Sequence, residues 1–145
     1  MATHDTAASN ITLDRAGIEQ QLAQSVHHFI ECTFDGEDLS RLDLQGCTFE
    51  RCTFADTNLF ASKLARSTWR RCRAGSADFE SVDAVDATFE GCDLNNTKWR
   101  RAKLASVTLN EGLTYLGAGA FQNDAALTEV SLPSTLPGRG MAWSG

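Results

Sequence analysis

Counting from Phe29 in steps of five visits Phe29, Phe34, Leu39, Leu44, Phe49, Phe54, Leu59, Leu64, Trp69, Ala74, Phe79, Ala84, Phe89, Leu94, Trp99, Leu104 and Leu109. All seventeen are apolar, in a chain that is only 42% apolar. A period of five excludes a continuous α-helix, because at about 100° per residue each step drifts by roughly 140° around the axis. It also breaks the strict alternation of a flat sheet.

The neighbours of each large residue supply the geometry. Two positions earlier stand mostly small residues, among them Cys32, Cys47, Cys52, Ser62, Ser67, Cys72, Ala77, Ala87, Cys92 and Ala102. Between the two stands a mostly polar residue, such as Thr33, Asp38, Asp43, Thr48, Asn58, Asp78 or Lys98. In extended chain, residues two apart share a side and the one between points away. Each pentad therefore turns a small and a large side chain inward, a polar one outward, and ends in a two-residue corner. A chain that turns a corner every five residues and stacks on itself satisfies this pattern as a β-solenoid. Stacked coils need their backbone donors, and both prolines, Pro133 and Pro137, lie outside the periodic stretch. Gly36, Gly46, Gly75 and Gly91 fall at corners, where turns accept them.

The stretches "CTFER", "CTFAD", "TNLFA", "ADFES", "ATFEG" and "CDLNN" resemble the pentapeptide-repeat proteins over about residues 27–110. That resemblance implies a right-handed quadrilateral β-helix, about four coils long here, with position n stacked on n+20. The family includes DNA-mimicking gyrase binders linked to quinolone or microcin resistance, translocated effectors and many members of unknown role, so it implies fold more narrowly than function. Stacking by twenty puts Trp69 and Phe79 beside Ala74 and Ala84 in one coil, roughly conserving core volume. It also aligns Thr48, Thr68, Thr88 and Thr108 as an outward ladder.

The same stacking decides what the five cysteines are for. Cys32, Cys52, Cys72 and Cys92 form one inward column, and Cys47 lies on the adjoining face. Buried free thiols act as small hydrophobes, and a linear column does not converge on a metal as a zinc site requires. His27 and His28 with Cys32 are the one candidate ligand group, and they also read as a corner pair. The "LGAGAF" run, with Gly117 and Gly119, lacks the third glycine of a dinucleotide fingerprint. No catalytic, cofactor or metal residue is assigned, and no enzymatic activity is expected. Glu37 is the one charge at an inward position, which predicts a loosely closed first coil.

The remaining signal is surface charge. The chain carries −6 overall, which argues against direct binding of nucleic acid or anionic membrane. "MATHDTAASN" has neither the basic flank nor the apolar stretch of a signal peptide, no run is long enough to cross a bilayer, and the odd cysteine count suits a reducing cytoplasm. Asp38, Asp43, Asp78, Glu80, Asp83, Asp86, Glu90 and Asp93 are the candidate partner-binding carboxylates, interrupted by "WRRCR" and "KWRRAK". A protein partner is expected: a nucleic-acid-handling enzyme such as DNA gyrase if the carboxylates mimic DNA, or another protein if the chain is a bacterial or phage effector or scaffold.

The ends divide the chain further. Residues 1–26 are expected to hold a disordered tail over 1–10 and a capping helix in "LDRAGIEQQLAQS", with Asp14 as N-cap and Ile18 and Leu22 on the first coil. In 111–145 the stretch Leu113 to Leu136 resembles one leucine-rich repeat of the BspA type, with Leu113, Leu116, Phe121, Leu127, Val130 and Leu132 as its apolar positions. A single such unit cannot bury its own apolar face, so it either caps the last coil or joins two copies as a homodimer.

Overall fold

The computed structural model describes residues 7–110, and beyond them residues 115–116 and 130–131. In chain order the elements are β1 (Ala7–Ser9), α1 (Arg15–Ala23), β2 (His28–Ile30), β3 (Thr48–Glu50), β4 (Thr68–Arg70), β5 (Thr88–Glu90), β6 (Asp93–Leu94), β7 (Val107–Asn110), β8 (Tyr115–Leu116) and β9 (Val130–Ser131). The strands are short because each occupies one face between two corners. All pair in parallel, in a seven-stranded sheet ordered β1-β2-β3-β4-β5-β7-β9 and a second of β6 and β8.

The register is the one the period predicts. Phe49 pairs with Trp69 and Trp69 with Phe89, and bridges such as Thr33↔Thr53, Asp38↔Asn58 and Asp43↔Lys63 repeat the offset on the other three faces. The chain is a four-sided parallel β-helix of about five turns, one more than the periodic stretch alone suggests. Four faces follow in order, centred in one coil on Phe49, Phe54, Leu59 and Leu64; they are called the first to fourth faces below.

Each corner takes the number of the face it follows, and the second, third and fourth corners are closed by a hydrogen bond from the third residue after the large one back to its carbonyl, as in Ser62 N to Leu59 O (3.0 Å) and Ser67 N to Leu64 O (3.0 Å), whereas the first corners are open bends. The second corner residue takes a left-handed backbone: Arg41 (φ 60°), Asp56 (φ 56°), Arg66 (φ 62°), Ser76 (φ 62°) and Asp86 (φ 63°) among others, as a type II turn requires. Valine, isoleucine and threonine occupy none of these positions from Glu31 to Ser106, because a branched Cβ clashes most in this conformation. Ser76→Val is therefore expected to lower stability by about 1–2 kcal/mol, and Ser76→Gly to be close to neutral, measured by thermal or urea unfolding.

The inward large residues form a continuous aromatic and aliphatic core. Phe29 stacks on Phe49 (5.4 Å between ring centroids), Phe34 on Phe54 (4.8 Å), and Phe79 on Trp99 (4.2 Å). Trp69 lies between Phe49 and Phe89, with Ala74 and Ala84 making room on the neighbouring faces. The two tryptophans of the solenoid core, Trp69 and Trp99, have a hydroxyl two residues earlier: Trp69 Nε1 donates to Ser67 Oγ (2.8 Å) and Trp99 Nε1 to Thr97 Oγ1 (2.9 Å). Those hydroxyls in turn donate to the Leu64 and Leu94 carbonyls.

Two expectations need correcting at the N-terminal end. Residues 1–10 were expected to be disordered, but Ala7–Ser9 is a strand paired with His28–Ile30, and Thr12 bridges Thr33. The solenoid therefore begins before residue 27, with α1 inserted where two faces would lie. Asp14 caps α1, accepting from Gly17 N at 2.7 Å, and Ile18 is fully buried. The Arg15 guanidinium donates to the Asp38 and Ser40 carbonyls (3.0 and 2.9 Å), the groups that a lower coil would otherwise pair. The first coil is also not loosely closed at Glu37. Its N–H reaches Phe34 O (3.2 Å) and its carbonyl accepts from Asn58 N (2.9 Å), as at other corners. The charge is tolerated because this residue stays partly exposed.

At the other end, Tyr115–Leu116 pairs with β6 and Val130–Ser131 with β7, so strand pairing continues past the last pentad. The proposed leucine-rich unit falls mainly outside the described residues: Leu113, Phe121, Leu127 and Leu132 are not among them, and Leu116 and Val130 are placed only through their strands. Gly117 and Gly119 also lie outside.

Candidate functional site

The outward residue of each pentad first serves the backbone. Oδ1 of Asp43, Asp78, Asp83 and Asp93 accepts from the backbone N–H two residues on, at 3.1, 2.9, 3.3 and 3.0 Å. Asn58 does the same toward Phe60 N at 2.9 Å. These are Asx turns that prepare each corner. Asp38 accepts from both the hydroxyl (2.6 Å) and the N–H of Ser40, and these bonds hold its carboxyl below the usual carboxylate range. Reading these aspartates purely as display groups missed this turn-forming role.

The eight candidate carboxylates do not converge on one patch. Asp38 and Asp78 lie on the third face, with Asn58 between them and Lys98 beyond. Asp43 and Asp83 lie on the fourth, in a column Asp43–Lys63–Asp83–Lys103. Asp93 stands above Arg73 on the second face, Glu90 lies in register with Arg70 at the first corner, and Glu80 and Asp86 occupy the third and fourth corners. Each column that holds one of these eight carboxylates also holds at least one lysine or arginine.

The first corner binds its charges most closely. Arg70 lies 3.2 Å from Glu50 and 3.5 Å from Glu90, and Arg51 lies 3.3 Å from Glu31. His28 Nε2 is 3.4 Å from Glu50 Oε2, near enough for attraction when protonated but not aligned as a hydrogen bond. Such exposed pairs each contribute little, about 0–1 kcal/mol. Together they line a groove formed by Glu50, Arg51, Arg70, Arg71 and Glu90. Only Glu90 of these was a candidate from sequence. The available signal was the alternation Glu50, Arg70, Glu90 at the twenty-residue spacing.

The thiols are structural. Cys52, Cys72 and Cys92 Sγ donate to the carbonyls of Phe29, Phe49 and Trp69 (3.4, 3.3 and 3.2 Å), and Cys32 Sγ to Ala8 O (3.4 Å). All five cysteines are buried and free of disulfides. Burial, with a lesser push from the Asp43 carboxylate, raises the Cys47 thiol to about 12. Among the described residues no group of histidine, cysteine and carboxylate side chains is arranged to hold a metal, so His27, His28 and Cys32 do not form one. None of the described helices is long and apolar enough to cross a membrane.

Comparison with known proteins agrees with this geometry. Pentapeptide repeat protein MfpA of Mycobacterium tuberculosis is 29% identical over 91 residues, covering 59% of this chain and 47% of the relative. The chain thus spans about half the length of that curated protein. Among solved structures, HetL of the cyanobacterium Nostoc, a pentapeptide repeat protein involved in heterocyst differentiation regulation, is 20% identical, with 70% of this chain and 47% of that one covered and a TM-score of 0.53. Rfr23 of the cyanobacterium Cyanothece, also a pentapeptide repeat protein, is 10% identical, with coverages of 74% and 83% and a TM-score of 0.52. At such identities the structural likeness concerns the fold alone. Residues 25–99, more than half of the chain, match the family described as Pentapeptide repeat region, and the chain belongs to the pentapeptide-repeat family.

Proposed function

We propose that this protein is a non-enzymatic binding module whose outer faces engage a protein partner without imitating a nucleic acid. The alternation of charge sign along the columns carries this reading. A DNA mimic needs rows of like charge to stand in for phosphates. Here Lys63 and Lys103 interrupt the fourth-face carboxylates, Lys98 ends the third-face column, and Arg70 separates Glu50 from Glu90. Mixed charge with fixed spacing suits recognition of a complementary protein surface, where charges set register and exclude wrong partners. Among the described residues, the groove of Glu50, Arg51, Arg70, Arg71 and Glu90 is a surface that offers such a contact.

DNA gyrase is the informative partner to assay, because gyrase-binding DNA mimics occur among pentapeptide-repeat proteins. The expected result is unchanged supercoiling and no protection of gyrase from a fluoroquinolone. Dose-dependent inhibition by the wild type, relieved in an Asp78→Lys/Asp83→Lys variant, would instead establish mimicry through the acidic columns. In affinity capture from bacterial lysate, a partner recognised through the groove is retained by the wild type and lost by Arg51→Glu/Arg71→Glu.

A further inference from the structure

From the charge order on the fourth face we infer that this face is a self-complementary interface through which two copies associate side by side with their axes antiparallel. The outward column reads Asp43, Lys63, Asp83, Lys103 along the solenoid. A two-fold axis parallel to the strand direction and lying in the interface reverses that order in the second copy. Asp43 then faces Lys103 of the second copy, Lys63 faces Asp83, and the other two pairs follow by symmetry. No like charges oppose one another in this column. A parallel arrangement does not give this match.

The flanking positions fit the same operator. The corner column beside the charges is Gln45, Ala65, Val85 and Ala105. It carries no charge and three small or mid-sized apolar side chains, so two copies can approach closely. At the next corner, exposed Arg66 meets exposed Asp86 of the second copy. Arg41 and Arg101 form the one like-charged pair, at the rim. The Arg41 guanidinium is held over the Phe60 ring at 5.2 Å, which draws it onto the third face. Among the described residues Asp43, Lys63, Asp83 and Lys103 form no ion pairs within the chain. Oδ1 of Asp43 is taken by Gln45 N and Nε2 and Oδ1 of Asp83 by Val85 N, so it is the second carboxylate oxygen of each that meets a lysine of the second copy.

The interface is small. Four coils spaced about 4.8 Å apart present on the order of 300 Å² per copy, against about 800 Å² per partner in a stable complex. The dimer is therefore weak, concentration-dependent and favoured by low salt.

Sedimentation equilibrium over a range of concentrations at low salt tests this. The wild type is expected to approach twice the 15.8 kDa of one chain and to return to that mass as salt is raised. Lys63→Asp/Lys103→Asp and Asp43→Lys/Asp83→Lys should each remain monomeric, since one face becomes wholly acidic and the other wholly basic. Mixing the two variants should restore a dimer containing one of each, a rescue that misfolded chains could not produce. A wild type that stays monomeric at the highest concentration, a dimer that survives in either variant alone, or failure of the mixture to pair would overturn the inference.

Discussion

Cys72→Asp is expected to abolish the folded state, whereas Cys72→Ala leaves it intact with a modest loss. Cys72 is buried in the inward column, and its thiol donates to Phe49 O at 3.3 Å and Arg70 O at 3.5 Å. Alanine removes a weak bond and one sulfur atom, at a cost of about 1 kcal/mol. Aspartate would aim carboxylate oxygens at those same carbonyls, with no donor in place and a buried charge to solvate. That costs several kcal/mol, a large part of a typical domain's total of about 5–15 kcal/mol. Circular dichroism and urea unfolding separate the outcomes. A Cys72→Asp protein melting within a few degrees of wild type would refute the inward column. Thiol titration supplies a second check: the five cysteines should be unreactive in the native protein and reactive once it is denatured. Cys47 adds a pH dependence. Its folded value of about 12 lies above the ordinary 9.0, so its contribution is complete below about pH 9 and is lost as pH rises toward 12.

Trp69→Ala should cost about 3–5 kcal/mol. The indole is fully buried and contacts Phe49, Phe54, Phe79 and Phe89, so truncation opens a cavity shared by three coils. Parallel pairing above and below prevents those coils from closing over it. The Ser67 hydroxyl separates packing from polar satisfaction. Ser67→Ala leaves the Trp69 N–H without its acceptor and should cost about 1–3 kcal/mol. In a Trp69→Phe background the same serine change should cost much less, because no indole donor remains. A double-mutant cycle by urea unfolding reads the coupling, and additive costs would show that the 2.8 Å bond contributes nothing.

These outcomes reflect what the five-residue period could reveal. It assigned an inward or outward side to the extended residues of each pentad from Phe29 to Leu109, because side-chain direction in extended backbone depends only on parity and on where the corners fall. It did not reveal the N-terminal coil, although Ala8 and Leu13 are also five apart and both buried. α1 makes the stride twenty-one there, with Ala8 opposite Phe29, and a count locked to twenty loses that register. Arg15 was equally hidden, since nothing in sequence aligns its guanidinium with two carbonyls more than twenty residues away. The aspartates on the third and fourth faces were placed outside correctly, but their hydrogen bonds to the corner N–H groups depend on turn geometry rather than polarity. The groove at Glu50 and Arg71 was missed because charge was read along the chain and not across coils.

The offset of twenty residues has a consequence for how such a chain can change length. Losing one residue inside a coil would turn every later side chain of that coil from core to solvent, so tolerated insertions and deletions should come in whole coils. The segment carrying α1 is the exception. There a helix has replaced two faces without disturbing the pairing of β1 with β2, and that is where a foreign loop or tag could be spliced into this scaffold with the coils above it undisturbed.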